Sequence, residues 1–266
     1  MSGQREVFIG INPIAAHLTY DAVVLDENFH LLENRECSLE DVLPFCQEFD
    51  QAVAALCSAR HPNLGLVNRN SAKRPSKVKP PVLKQDKRLC EAILNRHGIK
   101  TLSTPADPLA CSPWVRQGFE LFKKLEEGGF NSFSGLEGEK RLFETHAEGV
   151  FRALLAQPLL TQRSLEGRLQ RQLILYEQGL RISDPMVFFE EVTRHRLIQG
   201  NLPLQTLLPL SKLDAMAAAF MAWYAAKHQQ KVMRVGDERE GTILLPYWKE
   251  LEMISLGAAQ QMQIFS

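Results

Sequence analysis

The sequence predicts an α/β protein, in which strands at the centre of a sheet are covered by helices. Three stretches indicate this class. Residues 7–13, VFIGINP, are a short apolar run rich in β-branched residues that ends at a proline, as is typical of a strand buried on both faces. Residues 20–26 and 31–37 predict a hairpin. The small apolar run 52–57 predicts a further buried strand.

Helices and a terminal strand pair are expected in the rest of the chain. The pattern SLED at residues 38–41 is a capping box and predicts a helix to residue 49, while Ser112 followed by Pro113 predicts a helix over 113–127. Further helices are expected at 87–96, 148–155, from 164, at 185–199 and at 211–226, with strands at 142–146, 231–235 and 241–246. We therefore predict one domain, residues 1–266, with a basic loop at 60–86 and a helical insertion at about 87–140.

Composition excludes several classes of protein. The chain has 266 residues, 45% of them hydrophobic, and a formal net charge of zero, so no global charge favours nucleic acid or a membrane surface. No apolar run reaches the roughly 18 residues that a membrane span needs. The five cysteines are odd in number and never spaced C-x-x-C, which indicates neither a disulfide framework nor a zinc site. With a start that lacks the layout of a signal peptide, we expect a cytoplasmic protein with reduced thiols.

One stretch is strongly basic. Residues 69–88 contain eight Lys or Arg, Lys73, Arg74 and Lys77 among them, against one Asp, a local net charge of +7. Three prolines in the same stretch argue against regular structure. Either the stretch is a solvated insertion, or it contacts the phosphate backbone of a nucleic acid.

The residues alone suggest a few candidate site positions, each with a structural alternative. Asn12 ends the first predicted strand at the edge of the sheet where open α/β proteins place their chemistry. Ser211 and Asp214 have the spacing of a capping box, which would explain both structurally. Arg168 and Arg171 share a helix face, where they would bind phosphate or pair with residues such as Glu166 or Glu190. The same helix is expected to have an apolar stripe, formed by Leu165, Leu169, Leu173 and Tyr176.

Seven segments, in order, carry a resemblance to a known family. They are FIGINP, VAALCSARHPNLGL, FETHAEGVFRALL, SLEGRLQRQLILYEQGL, DPMVFFEEVTRHRL, LDAMAAAFMAW and EGTILLP, and together they extend over residues 6–247. This chain resembles the domain-of-unknown-function-429 proteins, which are predicted nucleases with a ribonuclease-H-like fold. The resemblance implies a mixed sheet flanked by helices, and acidic residues that converge on one or two Mg²⁺ or Mn²⁺ ions to hydrolyse a phosphodiester.

Two of the four carboxylates that this resemblance implies are replaced. The family has an aspartate where this chain has Asn12, and a second aspartate at the stretch that contains Cys57. Glu144 and Asp214 remain as implied metal ligands. An amide is a neutral donor, and a thiol is a soft ligand that is mostly protonated at neutral pH, so we expect Mg²⁺ affinity to fall by orders of magnitude.

Basic residues that would hold phosphate are largely retained. A lysine that is common before the matching helix in the family is replaced by Gln162, which is followed by Arg163; Arg168 and Arg171 remain. Structural alternatives stay open for Cys57, as a small buried apolar residue, for Glu144, as an ordinary strand-end carboxylate, and for His146, as a structural histidine rather than a ligand or base.

Two functions follow from these expectations. The first is a metal-dependent nuclease with a partly degenerate, weak or inactive site. The second is a non-catalytic module that binds nucleic acid or protein on the same fold. A different activity on the same fold is a third alternative, although the sequence has neither a P-loop nor a G-x-S-x-G serine motif.

Overall fold

The computed structural model describes residues 6–67, 86–133 and 138–251, and these build an α/β structure around one sheet. Its strands are β1 (Val7–Ile14), β2 (Thr19–Leu25), β3 (Leu31–Cys37), β4 (Ala52–Leu56), β5 (Asn131–Ser132), β6 (Lys140–Thr145), β7 (Val232–Asp237) and β8 (Gly241–Pro246). Its helices are α1 (Leu39–Gln47), α2 (Leu89–Arg96), α3 (Pro113–Glu127), α4 (Ala147–Leu155), α5 (Leu165–Glu177), α6 (Val187–Glu191), α7 (Arg194–Ile198) and α8 (Leu210–Lys227). Short 3₁₀ turns occur at Pro108–Ala110, Leu204–Thr206 and Gln229–Lys231.

The sheet is mixed, and its order is β3-β2-β1-β4-β6-β8-β7, with β5 paired to β6. The first three strands are antiparallel neighbours. Strands β1, β4, β6 and β8 run parallel, and β7 pairs antiparallel with β8 at the far edge. This arrangement confirms the predicted α/β class, the hairpin and the C-terminal strand pair, and it is consistent with a ribonuclease-H-like fold. Helices α2 and α3 lie between β4 and β6 in the chain, where a helical insertion was expected.

Alternate side chains of the central strands pack into two separate hydrophobic cores, one on each face of the sheet. Ile11 and Leu56 pack with Phe45 of α1 and Phe122 of α3 on the first face. On the second face, β1 and β4 pack against α8, whose alanines are buried. Because side chains alternate along a strand, a one-residue step in β1 or β4 moves a side chain from the α1/α3 face to the α8 face. This alternation decides which candidate residues can meet.

The predicted helix at 185–199 is wrong, since the structure divides it into α6 and α7. Val192 has an extended backbone, with φ −75° and ψ 94°. The Thr193 side chain then accepts a hydrogen bond from the backbone N–H of Arg196 at 3.2 Å. Capping of this kind satisfies one of the free N–H groups of a helix start, so Thr193 begins a second helix instead of continuing the first.

The most buried face of α5 is not its predicted apolar stripe. Tyr176 is 38% exposed, whereas Arg171 and Gln172 are fully buried. Gln172 donates to Ser183 O at 2.9 Å and accepts from the backbone N–H of Leu208 at 2.9 Å. Polar side chains are buried at little cost when they are hydrogen-bonded. The hydrogen bonds of Arg171 and Gln172 therefore allow the polar face of α5 to turn inward.

Candidate functional site

Close packing of α8 against β1 creates the candidate site. A Cβ atom on Gly10 would lie 1.9 Å from the carbonyl oxygen of Ala215 and 2.3 Å from the backbone nitrogen of Ala219. Only a glycine lets the helix backbone approach the strand this closely. The facing residues of α8 include buried alanines, whose small side chains also permit this close approach. The contact holds the first turns of α8 beside the ends of β1 and β4.

Three of the four predicted catalytic positions meet at this junction. The side-chain amide of Asn12 donates to the carbonyl oxygen of Ser211 at 3.3 Å. The Cys57 thiol lies 4.0 Å from the carbonyl oxygen of Asp214. Both contacts join a strand end to α8 across more than 150 residues of sequence. The structure therefore brings Asn12, Cys57 and Asp214 together.

Asp214 is electrostatically strained. Its Oδ2 accepts a 3.4 Å hydrogen bond from Gln162, while its Oδ1 is buried and has no hydrogen-bond partner among the described residues. Burial raises the pKa of this carboxyl to about 7; nearby Arg171 opposes the rise, whereas Glu148 and Asp21 add to it. A carboxylate with an unsatisfied buried oxygen is what a bound cation or a donor group would stabilise.

The capping-box interpretation of Ser211 and Asp214 is wrong. Helix α8 begins at Leu210, with Pro209 at the N-cap and no side-chain cap hydrogen bond. Ser211 therefore already lies inside the helix, and Asp214 stands beyond the positions where a capping carboxylate reaches free N–H groups. Capping does not account for Asp214.

Sequence reasoning missed two carboxylates near Asp214. Asp21 lies on β2 directly opposite Asn12 in the antiparallel register and is 7% exposed. Glu148 is in the first turn of α4. The hairpin register could have identified Asp21, because cross-strand partners share a face. No local signal in the sequence indicates Glu148.

Glu144 lies on the other face of the sheet. Its register partner on β4 is Leu56, whose side chain belongs to the α1/α3 core, so Cys57 and Glu144 point to opposite faces. Both carboxylate oxygens of Glu144 accept from Arg88, at 2.8 and 2.5 Å, and Oε2 also accepts from the backbone N–H of Arg60 at 3.1 Å. The structure does not bring Glu144 together with the other three.

Arg88 makes Glu144 part of a buried polar network. Its side chain is 2% exposed, and its Nε donates to Glu91 at 2.8 Å. Although burial opposes the charge, the pairing with Glu144 holds the pKa of Arg88 above its ordinary value. Glu91 also accepts from the Thr104 hydroxyl at 2.5 Å, and burial raises the pKa of Glu91. Arg88 therefore anchors α2 to the sheet.

His146 has a structural role. It is the N-cap of α4, and its Nδ1 accepts from the backbone N–H of Gly149 at 3.3 Å. Nδ1 must carry no proton to accept this hydrogen bond, so the imidazole is neutral. Burial, followed by the charges of Arg88 and Lys87, lowers the pKa of His146 to about 4. The structural alternative for this residue accounts for all of these contacts.

The predicted phosphate-binding residues lie in different environments. Arg171 is fully buried, where it pairs with Glu148 at 2.6 Å and donates to the carbonyl oxygens of Leu160 and Gly167. Its charge is therefore neutralised by a carboxylate, as the pairing alternative expected, but the partner is Glu148 and not Glu166 or Glu190. Arg168 donates to Leu204 O at 3.0 Å. Arg163 is exposed.

The basic stretch is only partly described. Lys73, Arg74 and Lys77 lie outside the described residues. Two of the eight cations in 69–88 have partners in the structure: Lys87 donates to the backbone at Thr101 and Leu102, and Arg88 pairs with Glu144. The other six lie between positions 69 and 84 of the sequence.

The donors that meet at the α8 junction do not fit a two-ion Mg²⁺ or Mn²⁺ centre. Asn12 contributes no charge, and burial raises the pKa of the Cys57 thiol, which therefore stays protonated. Glu144 is held by Arg88. Among residues 6–67, 86–133 and 138–251, no group of three or more His, Cys, Asp or Glu side chains has the geometry to hold a metal ion.

Fold and site together define an α/β protein with a polar junction between the central strands and helix α8. The model of the family described as "Protein of unknown function (DUF429)" matches residues 52–240, and the chain belongs to this family. A search of curated proteins found no match, and neither did a search of solved structures. In the part of the chain that the structure describes, no helix is both long and apolar enough to cross a membrane.

Proposed function

We propose that this protein is a degenerate metal-dependent nuclease, whose phosphodiester hydrolysis is orders of magnitude slower than that of a site with its full set of carboxylates. One observation supports this proposal above the others. Asn12, Cys57 and Asp214 meet where the family resemblance expects metal ligands, but only Asp214 among them carries a carboxylate.

The chemistry of the donors supports reduced activity. Mg²⁺ and Mn²⁺ select carboxylate and other hard oxygen ligands, and two ions in one cleft need several negative charges to offset their own. One carboxylate 4 Å from a dication contributes several kcal/mol at an effective dielectric constant of about 20, before desolvation is subtracted. Replacing two aspartates by Asn12 and Cys57 therefore removes the largest attractive contributions. Asp214, Asp21 and the Arg171-paired Glu148 are the carboxylates left near the junction.

A restoration experiment tests the proposal. Cleavage of single- and double-stranded DNA and RNA would be measured with Mn²⁺ for the natural chain, for Asn12→Asp/Cys57→Asp, and for the neutral control Asn12→Gln/Cys57→Ser. We expect the aspartate pair alone to raise Mn²⁺ binding by calorimetry, and to raise cleavage by about 100-fold or more, roughly 2.7 kcal/mol in barrier. Adding Asp214→Asn to the aspartate pair should abolish the gain. Cleavage by the natural chain as fast as that of the aspartate pair, and lost on Asp214→Asn, would overturn the proposal.

A second candidate function, non-catalytic binding of nucleic acid, is supported by the charge of the basic stretch. Six cations and no acidic residue occur between positions 69 and 84, while the whole chain is neutral. Such a local excess favours phosphate contacts, and these release counterions on binding. We place this binding in the cytoplasm, in keeping with the five free cysteines.

Salt dependence distinguishes this second function from the first. Fluorescence anisotropy of a labelled oligonucleotide would be followed from 50 to 300 mM salt, in EDTA so that hydrolysis does not contribute. The triple variant Lys73→Gln/Arg74→Gln/Lys77→Gln should weaken binding and reduce the salt slope by about 2–3, since each phosphate contact contributes roughly 0.7–0.9. The exposed control Lys123→Gln removes a charge elsewhere and should change little. Equal slopes for the natural chain and the triple variant would contradict this function.

A further inference from the structure

A cavity of about 270 Å³ lies between the end of α2, helix α4 and the segment that follows α4. Its volume is slightly below the range of about 300–1,000 Å³ that is usual for drug-sized ligands, so it has room for a smaller molecule. Ionisable and apolar side chains both line it: His97, Ile99, Glu148, Arg152, Pro158 and Leu159.

Arg152 is the unusual member of this lining. Its guanidinium lies over the ring of Trp248, 5.4 Å from the centroid, but it makes no hydrogen bond or ion pair with any described residue. Its Nε is buried without a partner. Glu148, the carboxylate in the same wall, is already paired with the buried Arg171 at 2.6 Å. One positive charge in the wall is therefore left uncompensated.

Two further nitrogen atoms beside Arg152 are also unsatisfied. The rings of His97 and Trp248 meet edge to face, 5.4 Å apart, and neither His97 Nε2 nor Trp248 Nε1 has a partner among the described residues. Burial lowers the pKa of His97, with Arg152 adding to this effect and Glu250 opposing it. A neutral imidazole can carry its proton on Nε2 and donate it. The wall thus offers a cation and unsatisfied donors, while the carboxylate of Glu148 is already paired with Arg171.

We propose that this cavity binds a small organic monocarboxylate, held through its carboxylate by Arg152 and His97. A guanidinium matches a carboxylate with two parallel N–H donors, which fixes the orientation of the ligand as well as its charge. Ile99, Pro158 and Leu159 then contact the apolar part of the molecule. One uncompensated cation beside a neutral imidazole matches a monoanion, whereas a phosphate monoester would bring a second negative charge next to Glu148.

Three probes with the same ring test the charge and the headgroup. Benzoate, neutral benzamide and phenyl phosphate would each be titrated into the full chain by calorimetry, with Trp248→Phe used to identify the tryptophan that reports binding by fluorescence. We expect saturable 1:1 binding of benzoate and at least tenfold weaker binding of both other probes. The proposal would be overturned if benzamide or phenyl phosphate bound as tightly as benzoate. It would also be overturned if none of the three probes showed saturable binding.

Variants test the residue that carries the assignment. Arg152→Gln should weaken benzoate binding at least tenfold, and Arg152→Lys, which keeps the charge but not the paired donors, should give an intermediate loss. The matched control is Arg35→Gln, an exposed arginine on β3 at the opposite edge of the sheet. Near-ultraviolet circular dichroism would establish that each variant is folded before titration. Unchanged affinity in folded Arg152→Gln would overturn the proposal whatever the nuclease assays show, because those assays do not involve Arg152.

Discussion

Removal of Arg88 is expected to destabilise the protein more than removal of its partner Glu144. Arg88 pairs with two buried carboxylates, since its Nη atoms donate to Glu144 and its Nε donates to Glu91. Arg88→Gln leaves both carboxylates in a site where the side chains are at most 5% exposed, with no cation between them. Breaking a buried pair in this way costs about 3–5 kcal/mol of the free energy of unfolding.

Glu144→Gln should cost less, because Arg88 keeps Glu91 as its counterion. We expect about 2 kcal/mol, since a bidentate ion pair is replaced by a single hydrogen bond from the charged guanidinium to a neutral amide oxygen. The double variant should cost clearly less than the sum of the two, by at least 1 kcal/mol, because Gln at 144 removes one of the carboxylates that Arg88→Gln leaves unpaired.

Urea unfolding at pH 7, followed by circular dichroism, measures all three free energies, and Arg88→Lys serves as the conservative control. Mn²⁺ titration of Glu144→Gln should match that of the natural chain, since the carboxylate of Glu144 is already occupied by Arg88. Equal losses for the two single variants, or strictly additive losses in the double variant, would refute this account of the network.

Two further predictions concern the α8 junction. Gly10→Ala should lower the free energy of unfolding in urea by about 3 kcal/mol or more, because its Cβ would overlap the backbone of α8. The control Gly98→Ala, at φ +77° with open space around it, should lower it by only about 1–2 kcal/mol through backbone strain. Similar losses for the two variants would contradict the packing argument. Asp214 has a raised pKa, so the folded state binds the extra proton and stability falls as pH rises from about 4 to 7, by on the order of 2–4 kcal/mol. His146 acts in the opposite direction between about 4 and 6.5, so the test is the difference between Asp214→Asn and the natural chain, which should grow in favour of the variant as pH rises. A constant difference would contradict the raised pKa.

Local signals in the sequence predicted the elements well. The apolar run of β1, the hairpin, the cap at Ser38 and the helix start at Pro113 each depend on residues within one element or one turn, and the structure has each of them. The position of Asn12 at the edge of the sheet followed from the strand pattern, whereas its meeting with Cys57 and Asp214 was implied only by the family resemblance.

Long-range polar contacts could not be predicted in this way. Glu240, which directly precedes the last predicted strand, is fully buried, and its carboxylate accepts from the backbone N–H groups of Leu64 and Leu89 at 2.7 and 2.6 Å. These partners lie 176 and 151 residues away in the sequence. Arg88 is 56 residues from Glu144. A carboxylate has the same sequence signature whether it is bound by a metal, a helix N-terminus or an arginine, so only the fold distinguishes these roles.

The neutral residues at positions 12 and 57 have a physical consequence for the protein without metal. Asp214 already shares its surroundings with Asp21 and Glu148, and both raise its pKa. Aspartates at 12 and 57 would add two like charges to this cluster, and buried like charges repel unless a cation lies between them. We therefore expect Asn12→Asp/Cys57→Asp to be less stable than the natural chain in EDTA. Mn²⁺ at 100 times its dissociation constant should return about 2.7 kcal/mol to the variant, while leaving the natural chain unchanged. A variant as stable as the natural chain in EDTA, and indifferent to Mn²⁺, would show that the three positions do not form one electrostatic site.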